Sequence, residues 1–541
     1  MGSRGCLCPG EHWCRVKRRR NLFYRELVRN GCNRLRRRPL DLKREGNPMQ
    51  AKIQAILRSR EMMGKKPRVY TQGYDIPELS ARLFPVKTQN GLYLAVWSGE
   101  EKNVFEGPSL VWRGKDGVCA VYPFSFSNYL RLTRFLVHLK PSPLNHHPSF
   151  GCGDRLGMVS AAHLKALREF PVFPVIAQQS PRELEKTHRS FVDVLLGAAW
   201  GVLEGGYGGP FGADADHIKD EQHLLKARDL GYSMFTLDLS EKVNYRAFTM
   251  DERELSRRYE EMSAQEREVF GRYRGRKFTL SLGVEVDFSE EKLLPLVLAY
   301  LPAVEQVEYW YHLLREGLSS FDLEMSLDEG ESVTSPEAHF FVAEELHHRG
   351  IDFRSIAPRF PGVFEKGIDY IGDGEEFSRA LRMQVAVARD IGGYRLSLHS
   401  GSDKFSIYPL FFRETGGLFH LKTSGTSWLQ GVAVVAEKNS ELFLRVYQVA
   451  YDTFEENLKA YRLSVRKEEL PANIGKMKES DLPKLLRDTR IRQLLHISYG
   501  SILAAVGEEL RGFLFAEEDT HYRKVCENIK KHLMVLFGKE G

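Results

Sequence analysis

Two segments in the last third of the chain each combine a histidine, a lysine and a polar turn. They read YRLSLHSGSDK and LFHLKTSGTSW, and alternating apolar residues, typical of a strand, lead in each to a histidine, His399 or His420. Neighbouring strands would bring these imidazoles to the same end of a sheet, where they could bind a divalent cation. Lys404 and Lys422 follow and could bind a carboxylate or phosphate, although solvated lysines on a rim are the alternative. The two segments therefore predict a site for a metal and an anionic substrate.

Carboxylates are concentrated in two further segments. In ADADHIKD, Asp216 and His217 are adjacent, so on a regular strand they would face opposite sides, and both can face one site only through a bulge or turn. Without a bulge or turn, only one of the two residues can take part in the site. In FDLEMSLDEG, alternation places Asp322, Glu324 and Asp328 on one face. Because a buried carboxylate needs a partner or a metal, this face is a candidate for acid and base chemistry.

Three histidines at the ends of separate predicted strands could hold one divalent cation and leave positions open for substrate oxygens. They are His217, His399 and His420. The alternative is that each histidine is structural or contacts a substrate directly. The segment GCGDRLG offers Asp154 and Arg155 as ligand contacts, or as a local ion pair in a structural turn.

The elements that must position these residues alternate between short strands and longer stretches with helical spacing. Such alternation predicts βαβ units and a parallel sheet, and eight units favour a (β/α)8 TIM-like barrel, in which the active site lies at the carboxyl ends of the strands. A Rossmann-type sheet is the rival, but no G-x-G-x-x-G stands between a strand and a helix. The eight predicted strands are 170–179, 210–218, 233–240, 277–289, 319–328, 350–358, 393–400 and 417–424.

Four regions are predicted along the chain. Residues 1–68 form a basic tail, disordered or translated from a wrongly chosen start, residues 69–150 a β-rich cap, residues 151–450 the catalytic barrel and residues 451–541 a helical extension. The tail carries 20 Lys and Arg against 5 Asp and Glu, whereas the remainder carries 58 against 67. The tail could therefore bind nucleic acid or an anionic surface, but we expect neither nucleic acid nor membrane as a partner.

Composition narrows the class of protein. No long uncharged apolar run and no secretory signal are recognised, so we expect a cytoplasmic protein. The seven cysteines are odd in number and unevenly spaced, which does not fit a disulfide framework. Four of them lie in the tail, where the spacing fits no common zinc module. The motifs of serine hydrolases, P-loop NTPases, zincin proteases and kinases are absent.

The runs SLHSGSDKFSIYP and LKTSGTSWL, together with GCGDRLG, ADADHIKD and FDLEMSLDE, resemble the tagaturonate epimerase family of hexuronate catabolism over residues from about 70 onwards. The resemblance implies a metal-dependent barrel enzyme that interconverts D-fructuronate and D-tagaturonate. It implies metal ligands at His217, His399 and His420, an acid/base at Asp216 and a partner in FDLEMSLDE, for which we take Glu324. The cofactor would be one divalent cation, Zn, Mn, Ni, Co or Fe, and the substrate a small ketohexuronate.

The chemistry of that interconversion suits such a site. The inverted carbon is β to the ketone, so its hydrogen is not acidic and proton abstraction cannot invert it. A base can instead take the hydroxyl proton and allow retro-aldol cleavage, rotation of the aldehyde and re-addition, with a metal polarising the ketone and lysines holding the carboxylate. Other metal-dependent sugar isomerases or a class II-like aldolase could use the same residues. A non-catalytic sugar-acid sensor or a nucleic-acid binder is the alternative outside enzymes.

Overall fold

The centre of the protein is a closed barrel of eight parallel strands, as predicted. The structure is a computed structural model and describes residues 48–59, 67–144 and 147–538. Apolar side chains of the strands alternate with polar ones, so that one set packs against surrounding helices and the other fills the barrel. In order around the barrel the strands are β7 (Ser149–Cys152), β8 (Phe173–Gln179), β9 (Gly212–Ile218), β10 (Met234–Asp238), β13 (Asp322–Ser326), β14 (Ser355–Ala357), β15 (Arg395–Leu398) and β16 (Phe419–Thr423).

One of the eight predicted barrel strands is wrong. Residues 277–289 form a separate antiparallel hairpin of β11 (Lys277–Thr279) and β12 (Glu285–Asp287). The hairpin alternates apolar and exposed residues because one of its sides faces solvent, whereas barrel strands are buried on both sides. The eighth barrel strand is instead β7, whose four residues are too few for a periodic pattern and span the predicted boundary between the cap and the barrel.

Helices follow most barrel strands and cover the outside of the barrel. The longest of these helices spans Glu290–Gly317 and contains two prolines, Pro295 and Pro302. The helices around the barrel are α3 (Ser160–Leu167), α4 (Pro181–Thr187), α5 (Phe191–Gly205), α6 (Glu221–Asp229), α7 (Glu252–Glu260), α8 (Ala264–Tyr273), α9 (Glu290–Gly317), α10 (Pro336–His348), α11 (Gly374–Ile391), α12 (Tyr408–Thr415) and α13 (Thr426–Lys438). Short 3-10 turns lie at Pro77–Leu79, Val137–Leu139, Tyr245–Thr249, Ser281–Gly283, Lys467–Glu469 and Glu479–Arg487.

An antiparallel sheet precedes the barrel, in agreement with the predicted β-rich extension. Helix α1 (Pro48–Arg58) packs on it through Ile53 and Leu57, so this part of the predicted tail is helical. Residues 1–47 and 60–66, which carry most of the predicted basic tail and its four cysteines, lie outside the described residues. The sheet comprises β1 (Arg68–Val69), β2 (Tyr74–Ile76), β3 (Ala81–Thr88), β4 (Gly91–Ser98), β5 (Leu110–Gly114) and β6 (Gly117–Pro123), and α2 (Phe126–Leu132) follows it.

A helical extension follows the barrel and has its own apolar core, which includes Trp428 and Tyr447. Its last helix, Glu518–Leu536, returns to the barrel and packs against α3 and α13. Within the described ranges, no helix is both long and apolar enough to cross a membrane. The helices of the extension are α14 (Ser440–Asp452), α15 (Phe454–Leu458), α16 (Thr489–Ile497), α17 (Tyr499–Ala516) and α18 (Glu518–Leu536).

Candidate active site at the carboxyl end of the barrel

A β-bulge at the end of β9 turns two adjacent residues toward the same site. Ala215 pairs with Phe235 and Ile218 with Leu237, so Asp216 and His217 together lie opposite a single residue of β10. His217 has a φ of 53°, in the left-handed region that non-glycine residues rarely occupy. Of the two alternatives that the sequence left open, the structure shows the bulge, and Asp216 Oδ1 accepts a hydrogen bond from His217 Nδ1 at 2.9 Å.

The second imidazole of the site, His399, follows the last residue of β15. Its ring centroid lies 4.8 Å from that of His217. His399 Nε2 lies 2.7 Å from Glu324 Oε1, while Nδ1 lies 2.9 Å from Asp328 Oδ1 without hydrogen-bond geometry. Each imidazole thus bonds one carboxylate through one nitrogen and turns the other nitrogen toward Asp328.

His217, Asp328 and His399 fit a divalent cation. One ligand atom from each lies within 4.8 Å of the other two, and two imidazoles with one carboxylate suit a transition metal with open positions. The carboxylates of Asp216 and Glu324 stand behind the two imidazoles, as outer carboxylates commonly do behind metal-bound histidines. The described residues therefore include a group that could hold a metal.

A second group of possible ligands, His217, Asp238 and Glu329, suits a cation less well. Lys219 Nζ lies 3.4 Å from Asp238 Oδ2 and 3.8 Å from Glu329 Oε2, so an ammonium already neutralises these carboxylates. A metal there would have to displace or repel that ammonium, so we favour the group that contains Asp328.

The protonation of the two imidazoles follows from their carboxylates. Burial lowers the pKa of His217, but Asp216 outweighs burial and the pKa rises to about 10. Burial likewise opposes the charge of His399, and Asp328 reverses the effect, so its pKa is also raised. A metal at this site would therefore compete with protons for the same nitrogens.

His420 lies deeper than the two other histidines. It is the second residue of β16 and is level with Ser397 of β15 and Ser149 of β7, two residues before the level of His399. Its Nδ1 is hydrogen-bonded to Ser149 Oγ at 2.8 Å, and burial lowers its pKa to about 3. Its placement argues against His420 as a ligand of the same cation as His217 and His399.

A buried ammonium stands at the centre of the barrel mouth. Lys422 Nζ lies 2.8 Å from Asp214 Oδ2, 2.7 Å from Asp216 Oδ1 and 3.0 Å from Glu324 Oε1, and it donates to Thr236 Oγ1. The three carboxylates outweigh burial and hold the pKa of Lys422 well above its usual value. Lys422 is therefore committed to carboxylates of this chain, rather than free to bind an anion of a substrate.

The three carboxylates around Lys422 differ in their protonation. Burial raises the pKa of Asp214 to about 6, although Lys422 opposes it. For Asp216 and Glu324, burial is outweighed by the neighbouring imidazoles and by Lys422, and the pKa of each is well below its usual value. Asp216 and Glu324 are therefore ionised at neutral pH and able to accept a proton.

Glu324 is fully enclosed, as expected for its strand face. Ser355 donates to its Oε2 at 2.5 Å, and His399 and Lys422 contact its Oε1. It is not among the residues that line the cavities over the barrel, whereas Asp216 is. Glu324 therefore positions its neighbours, and a substrate would meet Asp216.

Lys404, predicted as a contact for an anionic substrate, lies in a structural position. Lys404 Nζ donates to three backbone carbonyls, of Glu365, Ile368 and Ser402, and does not line either cavity. This placement argues against Lys404 as a contact for an anionic substrate.

The predicted turn GCGDRLG holds its charged residues in the fold as well. Asp154 accepts hydrogen bonds from the backbone N–H groups of Gly157 and Val159 and so shapes the turn. Arg155 pairs with Glu183 at 2.6 Å and stacks on Tyr499, yet it also lines the inner cavity. Of the two, Arg155 alone lies where a ligand could meet it.

Two connected cavities lie over these residues. The inner one, of about 40 Å³, reaches Asp216, His217 and Lys422, and the outer one, of about 440 Å³, opens from it past His399 and Asp328. Both are also lined by Arg182 and Lys366, which sequence analysis did not single out because they lie in no motif and follow no strand-end pattern. The arrangement offers a base, a group of residues that could hold a metal, and a larger outer cavity that is open to solvent.

Comparisons with known proteins agree on one family. The family model of UxaE, tagaturonate epimerase, matches residues 78–536. The tagaturonate/fructuronate epimerase of Thermotoga maritima is 41% identical over 479 residues, which are 87% of this chain and 98% of the relative. The native crystal structure of fructuronate-tagaturonate epimerase UxaE from Cohnella laeviribosi has a TM-score of 0.82 and 34% identity, covering 90% of this chain and 99% of that one. A glycerol complex of the same enzyme gives a TM-score of 0.82 at 33% identity, with the same coverage.

Proposed function

The chain belongs to the tagaturonate epimerase family, and we propose that it is an epimerase that interconverts D-fructuronate and D-tagaturonate by retro-aldol and aldol chemistry. The observation that carries the mechanism is the position of Asp216. It lines the inner cavity beside a candidate metal group, and its two contacts, from His217 and Lys422, both use Oδ1. Oδ2 is thereby the oxygen available to a substrate.

We assign the proposed metal site to His217, His399 and Asp328, with Zn, Mn, Ni, Co or Fe as the candidate ions. When bound, the cation supplies Lewis acidity toward the ketone of the substrate. The chain's own part is to orient the two imidazoles, which Asp216 and Glu324 do through His217 Nδ1 and His399 Nε2.

The proton of the inverted carbon's hydroxyl group is taken by Asp216. The bond from this carbon to the carbon beside the ketone then breaks, which leaves an aldehyde and an enediolate. The aldehyde rotates, the bond re-forms on its other face, and the new alkoxide needs a proton. Lys422 is the donor we propose, because this residue lines the inner cavity and its Nζ lies 2.7 Å from Asp216 Oδ1, from which it regains the proton.

The buried carboxylates keep Lys422 in place for this exchange. Glu324 and Asp214 hold its ammonium from the barrel interior at 3.0 and 2.8 Å. Glu324 is therefore a positioning residue in this mechanism, although the sequence predicted it as an acid/base. Arg155 also lines the inner cavity and is a candidate contact for the substrate.

The proposal is tested by incubating the metal-loaded protein with D-tagaturonate in D₂O and following the products by NMR. We expect D-fructuronate without deuterium at the inverted carbon, because its hydrogen stays with the aldehyde. Incorporation of deuterium at this carbon would overturn the retro-aldol route. If neither uronate is converted, the proposed epimerase function is overturned.

Two variants test the residue assignment. We expect Asp216→Asn to abolish turnover and Glu324→Gln to lower kcat at least about 100-fold, with metal still bound in both. Glu509→Gln on the exposed surface is the control and should keep the full rate. Near-normal rates in both site variants would refute the assignment.

A further inference from the structure

The outer cavity carries more cationic than anionic side chains. Its five Lys and Arg exceed its three carboxylates, of which Asp328 already belongs to the proposed metal site. An excess of cations in a cavity that continues into an active site favours an anionic ligand. The cationic residues are Arg182, Arg359, Lys366, Lys459 and Arg462.

Of these five cations, Arg182 pairs with Glu329, and Lys366 is one of the four for which the described residues supply no carboxylate within 4.0 Å. Among those four, Lys366 alone lines both cavities. Its Nζ donates a hydrogen bond to Ser400 Oγ at 2.7 Å. Burial lowers its pKa, and the nearby Arg182 lowers it further. An ammonium that is partly buried and has no carboxylate partner is costly, so a bound anion would stabilise it.

Arg182 stands on the same side of the cavity as a second cation. Its guanidinium lies 5.4 Å from the ring centre of Tyr461 and 3.8 Å from Glu329, and 43% of its side chain is exposed. Both Arg182 and Lys366 line the inner and the outer cavity, so they border the passage between them. An anion could contact both there.

The hydroxyl that holds Lys366 ties this cation to the reaction site. Ser400 directly follows His399 and has a φ of 49°, in the left-handed region. The turn therefore directs Ser400 Oγ toward Lys366 while His399 faces Asp328. A ligand with its reacting carbons at Asp216 and its anionic end at Lys366 would extend from the inner to the outer cavity.

We propose that Lys366, assisted by Arg182, binds the carboxylate of the substrate and so selects sugar acids over uncharged sugars. This inference rests on the proposed function, because a uronate provides the carboxylate at the end of the chain remote from the ketone. It replaces Lys404 and Lys422, whose ammonium groups are engaged by carbonyls and carboxylates of the protein. Lys366 is then a binding and specificity residue.

The test compares kcat/KM for D-tagaturonate with kcat/KM for the uncharged ketohexose D-tagatose. We expect Lys366→Met to lower the ratio of the two at least about 30-fold, since loss of one partner of a desolvated charge pair is large. Lys366→Arg keeps the charge and should restore most of the ratio, and Arg182→Gln should lower it less. Because Lys366→Met also removes a partly buried charge that has no carboxylate partner, the thermal unfolding midpoint of this variant without substrate should not fall.

Lys476→Met is the matched control, since Lys476 is exposed and lines neither cavity. Metal content is measured for every variant. If the wild type converts uronates and the ratio of the two kcat/KM values is unchanged in both Lys366→Met and Arg182→Gln, this inference is overturned. The proposed function is then left intact. A wild-type protein that converts no uronate overturns both.

Discussion

Asp328 is the residue on which the proposed metal site depends, because both imidazoles turn their free nitrogens toward it. Its Oδ1 lies 2.9 Å from His399 Nδ1 and 4.0 Å from His217 Nε2. Glu324, four residues earlier, belongs to the same predicted strand face, but it contacts the other ring nitrogen of His399, Nε2. One alternating segment thus supplies both a candidate ligand and the carboxylate that orients another ligand.

Metal content distinguishes Asp328 from His420 as the third ligand. We expect Asp328→Asn to weaken metal binding at least about 10-fold, whereas His420→Gln should retain the metal because His420 lies deeper and bonds Ser149. Both variants are dialysed against graded chelator and analysed by mass spectrometry for bound divalent ions. Loss of metal in His420→Gln with retention in Asp328→Asn would instead support the set of three histidines predicted from the sequence.

The turns at the ends of β9 and β15 are the elements that assemble the site. At β9 a bulge brings Asp216 and His217 to one side, and at β15 a left-handed residue, Ser400, follows His399. Both turns place a non-glycine residue at positive φ, a strain that persists where the surrounding structure demands it. The site is thus built by irregularities at strand ends rather than by the strands alone.

The turn after β15 gives an element-scale prediction. Ser400→Gly and Ser400→Ala both lose the hydroxyl, but only glycine adopts a φ of 49° without strain, so the glycine variant should be the more stable by about 1 kcal/mol. Ser402 lies in the same turn and is not at positive φ, so there the alanine variant should be the more stable. Urea unfolding of the four variants measures both differences, and the same order at both positions would contradict the backbone argument.

Periodicity predicted most of the elements and less of the site. The pair of strands around α12 was predicted correctly because strand alternation is visible in the residues themselves, whereas for ADADHIKD the sequence left a bulge as one of two alternatives. Depth along a strand was not visible, since β16 begins at Phe419 and places His420 near its start. Lys366 and Arg182 were missed because only the closed barrel brings a loop and a helix start to its mouth.

On the scale of the whole molecule, one buried ammonium joins the N-terminal sheet, helix α5 of the barrel and the last helix. Lys87 of β3 lies 2.7 Å from Glu518 of α18 and 3.7 Å from Glu204 of α5. Tyr522 accepts a further hydrogen bond from Lys87 at 3.0 Å. The family match over residues 78–536 includes all three parts, which is consistent with their acting as one structure.

Several buried neutral histidines make the stability of this structure sensitive to acid. His339 donates from Nδ1 to Gln384 and accepts from Tyr394 at Nε2, and burial lowers its pKa to about 4.

Burial likewise lowers the pKa of His163 and of His521 to about 4. An unfolded histidine takes up a proton near pH 6.5, whereas the folded one resists until about pH 4, so the unfolded state binds more protons between these values. The contribution of each of these three histidines to stability is therefore complete above pH 6.5 and falls as the pH drops to 4, by up to about 3 kcal/mol for each histidine.

His339→Gln tests this dependence in the full-length protein. Thermal unfolding midpoints are measured from pH 7.5 to pH 4.5 in the presence of a chelator, so that metal release does not contribute. We expect the wild type to lose stability steadily below pH 6.5 and His339→Gln, although less stable at pH 7.5, to lose less over the same interval, because one proton-binding group has gone. Phe340→Leu changes the adjacent buried residue of α10 without a titrating group and should keep the wild-type slope. Parallel curves for His339→Gln and the wild type would show that the burial of His339 does not control acid unfolding.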